Sequence, residues 1–149
     1  MPRKETIERA RQDEREGKSP GTQAGEFVKE VIDDIRAGKH GARSAKQAIA
    51  IGLSKARRAG VKVPPPKKGQ VSEEKRRKAQ RDYQKGKEGA KPSPKRSRAV
   101  REALKREGTA AASPQALSRQ ARSAAARRSP AERSAAARKA ARTRERNSN

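Results

Sequence analysis

The chain has 149 residues, forty-one Lys or Arg against seventeen Asp or Glu, and a formal net charge of +24. It holds no cysteine, one histidine and two aromatic residues, Phe27 and Tyr83, which excludes disulfides, cysteine-ligated metal and an aromatic base-stacking platform. A charge of this size repels itself and calls for a polyanionic partner, of which nucleic acid is the commonest in cells.

The charge is sorted along the chain. Residues 1–38 carry nine acidic and eight basic side chains, residues 39–63 seven basic and no acidic ones, and residues 67–149 twenty-six basic and eight acidic. Large apolar residues are sorted too, with ten of the seventeen Val, Ile, Leu, Met, Phe and Tyr lying from Phe27 to Val63. An ordered nucleus is expected in that window, close to the lower size limit for unaided folding. The flanks are too charged to offset their ordering entropy by burial, so they read as conditionally helical or disordered. The N-terminus has no apolar signal-peptide core, and the longest apolar run is only Ala48–Leu53. A soluble, cytoplasmic protein with no membrane partner is expected.

Residues 3–16 read as a charged helix with one large apolar side chain, Ile7, so that it forms when docked. Lys18-Ser19-Pro20-Gly21 ends it. From about Thr22 to Ala37, Phe27, Val28, Val31, Ile32 and Ile35 make one helical face, and Gly38 supplies the residue after the C-cap. Asp33 and Asp34 oppose the macrodipole of that helix and call for basic partners elsewhere. Ser44 and Gln47 have capping-box spacing, which starts a helix running to about Ala59 before Gly60. Its face of Ala45, Ala48, Ile49, Gly52, Leu53 and Ala56 is made mostly of small residues, which suits close packing against the Phe27–Ile35 stripe, with Ile32 and Leu53 most central. Val61 to Pro66 leaves as an extended strut.

Beyond Pro66, Lys/Arg helices alternate with Gly, Ser and Pro. Ser72–Lys85 and Ser97–Glu107 are two, and Ser113-Pro114 and Ser129-Pro130 each read as N-cap followed by N1 proline. Arg122-Ser-Ala-Ala-Ala-Arg127-Arg128 recurs eleven residues later as Arg133-Ser-Ala-Ala-Ala-Arg138-Lys139, a spacing that presents cations on nearly one helix face. The predicted fold class is all-α: a charged N-terminal helix at 1–19, a small helical hairpin at 20–63, a Pro-rich linker at 64–70 and a basic arm at 71–149.

Two helices joined by a Gly-containing turn resemble a helix-turn-helix, but the turn is longer than that motif usually allows and no Asn is available for adenine, which leaves Gln47 and the arginines as base readers; generic phosphate contact by a hairpin with a basic solvated face is the preferred reading. Ser93-Pro94-Lys95-Arg96 matches a turn that lays cations into narrow A·T minor grooves, and also an ordinary turn between helices. His40 has neither cysteine nor a carboxylate set around it in sequence, and Gly86-Lys87-Glu88-Gly89 lacks P-loop spacing. No nucleophile–base pair is present to argue for catalysis, so no enzyme activity, metal or cofactor is expected.

The stretch from Lys39-His-Gly-Ala-Arg-Ser-Ala-Lys-Gln-Ala-Ile-Ala to Ile-Gly-Leu-Ser-Lys-Ala-Arg-Arg-Ala-Gly60 resembles a family of short, basic bacterial proteins of uncharacterised function. Thr22-Gln-Ala-Gly-Glu-Phe27 before it and Val63-Pro-Pro-Pro-Lys-Lys-Gly69 after it look like the same family. The resemblance implies a DNA-binding protein, and the Ala/Lys/Arg tail is separately similar to bacterial histone H1-like proteins.

The expected function is non-enzymatic, histone-like and largely sequence-independent DNA binding at the nucleoid. The alternatives are a structured-RNA binder, including one associated with ribosomes, and a protein-interaction adaptor tethered by its basic arm. A weak dimer is compatible with the sequence. The candidate contact residues are Lys39, Arg43, Lys46, Lys55, Arg57 and Arg58 in the hairpin, Lys95 and Arg96 after it, and Arg122, Arg127, Arg128, Arg133, Arg138 and Lys139 in the tail.

Overall fold

Ser-Pro steps punctuate the chain. In the computed structural model, which describes residues 2–148, the helices are α1 (Lys4–Arg15), α2 (Pro20–Arg36), α3 (Ala45–Arg58), α4 (Glu73–Glu88), α5 (Pro94–Lys105), α6 (Pro114–Ala126) and α7 (Pro130–Ser148), with a short 3-10 turn at Ala110–Ala112. The protein is all-α. Four of the helices begin with Ser as N-cap and Pro at N1. The hydroxyls of Ser19, Ser93, Ser113 and Ser129 accept from the amides of Thr22, Arg96, Ala116 and Glu132 at 3.3, 3.4, 3.1 and 3.1 Å. Proline costs nothing there because its missing N–H would have had no helical acceptor. This explains why α2 and α5 start earlier than Thr22 and Ser97, since Ser19-Pro20 and Ser93-Pro94 open helices.

Helices α2 and α3 form an antiparallel pair. Ser44 accepts from the Gln47 amide at 3.1 Å, while the Gln47 side chain accepts from the Arg43 amide at 2.7 Å, one residue short of a standard capping box. Gly38 ends α2 with φ 75°, and the amides of Gly38 and Lys39 donate to the Ile35 and Asp34 carbonyls at 3.0 Å each, a Schellman closure. Between the helices the small-residue face does what its composition predicts. Ala45, Ala48, Gly52 and Ala56 are buried against α2.

The core divides on either side of Gly52. One cluster joins Val31, Ile32 and Ile35 to Ala42, Ala48, Ala111 and Ala112, while the other joins Ala10 of α1 to Ala24, Phe27 and Ala56. Phe27, Val31 and Ile35 are fully enclosed, whereas Leu53 is only partly buried at the edge of the second cluster. Leu53 is therefore not the centre of its stripe; the close helix approach gives that place to Ala48, Gly52 and Ala56.

Packing reaches past residues 20–63 in both directions. Helix α1 docks on α2, burying Thr6 and Ala10, with Arg9 paired to Glu26 at 2.8 Å and Arg3 paired to Asp34. Asp34 also lies 3.6 Å from Lys39, and Asp33 pairs with Lys29 at 2.7 Å, so both acids near the end of α2 have cationic partners. Helix α4 docks on α3. Its buried Asp82 accepts from the Ser54 hydroxyl at 2.7 Å and from Arg58 Nε at 2.8 Å. The tail then returns to the α2–α3 turn through Ala110–Ala112, where Arg36 Nε donates to the Ala112 carbonyl at 2.9 Å. In contrast, α5 and α7 bury no residue.

The candidate nucleic-acid interface

A phosphate contact needs a cation that is exposed and not already committed. The structure sorts the hairpin candidates by that test. Arg43 and Lys46 are exposed and unpaired, Lys39 is exposed but lies 3.6 Å from Asp34, Lys55 is partly buried, Arg57 is buried, and Arg58 is exposed yet paired with Asp82. Arg57 is buried and donates to the Val63 and Pro64 carbonyls at 3.2 and 3.1 Å, pinning the Pro-rich strut to the end of α3. Burial pushes its guanidinium below the usual arginine value, and nearby Asp82 partly opposes that. Arg57, a candidate contact residue from the sequence, is thus held within the fold. The turn at Gly60 brings those carbonyls within reach, and the side chain satisfies them. Arg58 is half tied up by Asp82.

The same contacts bear on a helix-turn-helix geometry. A recognition helix needs one face open to a major groove. Helix α3 has α2 on one side, α4 along Ser54 and Arg58, and α6 with the 3-10 turn toward its start. Only Lys46 and Ala50 remain well exposed among the residues of α3 before its last turn. That arrangement does not present a reading face.

The tail candidates are exposed, and one of them, Arg133, has a local duty. Lys95 and Arg96 lie in the first turn of α5 behind the Ser93-Pro94 cap, so this segment is a helix start. Arg133 Nη1 donates to the Ala125 and Arg128 carbonyls at 2.9 and 2.7 Å, closing the end of α6. Arg122, Arg127, Arg128, Arg138 and Lys139 face solvent. The two copies of the Arg-Ser-Ala-Ala-Ala-Arg motif do not share one helix face as their spacing suggested. Pro130 restarts the helix between them, so one copy lies in α6 and the other in α7.

Acids are distributed quite differently. Asp13, Asp34 and Asp82 are the inward members of ion pairs, with side chains 10, 14 and 4 % exposed. Among the described residues, Arg76 and Lys105 are the only basic residues beyond Lys67 that form an ion pair. Residues 1–38 nearly neutralise themselves, with nine acids against eight bases, while most cations beyond Lys67 have no ion-pair partner among the described residues.

The structure also gathers residues that sequence reasoning missed. Arg119 and Gln120 of α6 line a cleft of about 450 Å3 with Arg43 and Lys46 at the start of α3. A signal was present in the sequence. Gly108–Ser118 is a run of eleven uncharged residues in a tail otherwise dense in charge, and it is the segment that docks. His40 places Nδ1 3.0 Å from the Gly41 carbonyl, in the turn. No cluster of three or more potential metal ligands occurs among the described residues, and no described helix is long and apolar enough to cross a membrane.

Residues 15–68 match the model for a family of unknown function (DUF6496). No curated protein and no solved structure matches the chain. The match covers the hairpin and its entry and exit, while α4 to α7, the cleft's Arg119 and most of the outward cations lie beyond it.

Proposed function

We propose that this protein is a non-enzymatic, histone-like nucleic-acid binder that holds duplex DNA through largely sequence-independent phosphate contacts. The observation that carries the reading is the segregation of charge. Twenty-six cations lie beyond residue 66, and among the described residues only Arg76 and Lys105 of these pair with an acid. A fold that turns Asp13, Asp34 and Asp82 inward in ion pairs and leaves most of its C-terminal cations unpaired has a strong net potential for a polyanion. The helices α5 and α7 bury nothing of their own, so a partner surface is available along their length.

In this reading the hairpin with α1 and α4 is the rigid body, and α5 to α7 carry the charge. Binding gains come from counterion release, so affinity falls steeply with salt and depends little on base sequence. The nucleoid is the matching location. Structured RNA offers the same phosphate chemistry and is the chief alternative ligand.

The test is a salt-titrated competition among duplex DNA, structured RNA and heparin, using the full chain. Duplex DNA binding at least as well as RNA and better than charge-matched heparin supports the assignment. Heparin competing equally at every salt concentration overturns it, because charge alone would then decide.

A further inference from the structure

The cleft between α3 and α6 is built by contacts far apart in sequence, and it has a composition of its own. The Gly41 amide donates to the Leu104 carbonyl at 2.8 Å, and the Ala42 amide to the Gly108 carbonyl at 3.0 Å. With the Arg36–Ala112 bond and the buried methyls of Ala111 and Ala112, these form a latch that fastens the tail to the α2–α3 turn. The fit depends on glycine. A Cβ at Gly41 would stand 2.1 Å from the Glu107 carbonyl oxygen and 2.3 Å from that of Gly108, both backbone atoms that cannot swing aside.

The latch sets α6 beside the start of α3. Arg43, Lys46 and Arg119 then line one cleft of about 450 Å3, with Gln120 and Ser123 as neutral hydrogen-bonding groups and no carboxylate on its wall. None of the three cations has an ion-pair partner among the described residues. Three like charges gathered on one cleft repel each other, and an anion seated among them relieves the repulsion. Arginine matches phosphate oxygens in a bidentate fork, and two of the three cations are arginines.

We infer that this cleft is a phosphate clamp, assembled by the latch, that grips one phosphate group of the bound polynucleotide. The inference rests on the nucleic-acid reading and adds a fixed point of contact to it. The outward cations of α7 act as an interchangeable cloud, while the cleft cations act together. The same chemistry would hold a free phosphate compound, and the experiment separates the two sources.

Four full-length proteins are compared by fluorescence anisotropy on one short DNA duplex over a salt series. They are the wild type, Arg43→Gln with Arg119→Gln in the cleft, Arg142→Gln with Arg144→Gln on α7, and Gly41→Ala. Inorganic pyrophosphate is titrated into each by calorimetry, and circular dichroism monitors helix content. The clamp predicts that the cleft pair lowers duplex affinity about tenfold more than the charge-matched α7 pair, the scale of one lost charge-assisted hydrogen bond. Gly41→Ala should weaken binding similarly without removing any charge. Should Gly41→Ala lose its helices, the two surface-charge pairs still decide the matter. Pyrophosphate binding that depends on the cleft, with duplex affinity indifferent to it, assigns the clamp to a free phosphate compound. Equal effects of the two pairs on both ligands overturn the clamp and leave the nucleic-acid reading standing. A wild type that does not bind the duplex refutes that reading, whatever pyrophosphate does.

Discussion

Gly52 of α3 stands against Val28 of α2 so closely that a Cβ added at Gly52 would lie 2.6 Å from the Val28 Cα and 2.7 Å from its Cγ2. The two helix backbones meet there, and the two core clusters lie on either side of that contact. Alanine would raise helix propensity by about 1 kcal/mol, but overpacking against a backbone atom costs about 1–3 kcal/mol. The clash should win, because Cα cannot rotate away. Gly52→Ala is therefore expected to lower the melting temperature and Gly52→Val to lower it further, measured by thermal circular dichroism. A Gly52→Ala protein as stable as the wild type would mean the helices do not approach this closely.

Ile35 and Leu53 offer a second measure of where the core lies. Ile35 is fully buried between α2, α3 and the tail's alanines, so Ile35→Ala should cost about 2–5 kcal/mol. That is a large share of a total stability of about 5–15 kcal/mol. Leu53 is partly exposed at the rim of the other cluster, so Leu53→Ala should cost clearly less. Urea unfolding of both variants gives the comparison. A larger loss at Leu53 would contradict the packing described.

The contrast between these residues shows what the sequence could disclose. The Phe27–Ile35 stripe, the Ser44 cap and the Gly38 and Gly60 stops were legible because each is written within a few neighbouring residues. The fate of Arg57 was not, since its carbonyl partners come within reach only after the chain turns at Gly60. The latch was hidden for a stronger reason. Arg36 and Ala112 are 76 residues apart, and a run of alanine carries no periodic signature of docking. The misplacement of the Arg-Ser-Ala-Ala-Ala-Arg copies has a local cause. Their spacing was counted through Pro130, where a helix cannot continue unbroken. Of the candidate site, the basic character of the tail was readable, but the pairing of Arg119 with Arg43 and Lys46 was not.

Asp82 is the residue that holds α4 to α3. Its carboxylate is 4 % exposed and serves both Ser54 and Arg58, so Asp82→Ala leaves a hydroxyl and a guanidinium without their partner. The loss should be about 1–3 kcal/mol, concentrated in α4 and the last turns of α3. Native-state hydrogen exchange should then show faster exchange in α4 while α2 stays protected. If α4 amides remain as protected as before, its docking rests instead on buried Ala79 and on the close approach of Gly86 to the Arg57 carbonyl, where an added Cβ would stand 1.7 Å from the oxygen. The variant also frees Arg58, so its affinity for duplex DNA should rise slightly and become a little more salt-dependent.

Helix α7 gives the cleanest test of how much of the interface is charge alone. Cutting the chain after residue 66 would strip α4 and the latch from the core, and any loss of binding would then mix folding with contact. Cutting before Pro130 removes a helix that buries no residue and carries six cations, Arg133, Arg138, Lys139, Arg142, Arg144 and Arg146. Its hydrogen bonds to the rest of the described chain are few: Arg133 caps α6, and Arg146 Nη2 reaches the far end of α1, donating to the Glu16 and Gly17 carbonyls at 3.3 Å. The remaining protein should keep its stability within about 0.5 kcal/mol, the usual scale for surface changes. If all six cations contact phosphates, the slope of log affinity against log salt should become shallower by about 5 units. A smaller change counts the contacts directly, at about 0.9 per phosphate. An unchanged slope would place the binding surface on the hairpin, α5 and α6, and would remove α7 from the interface altogether.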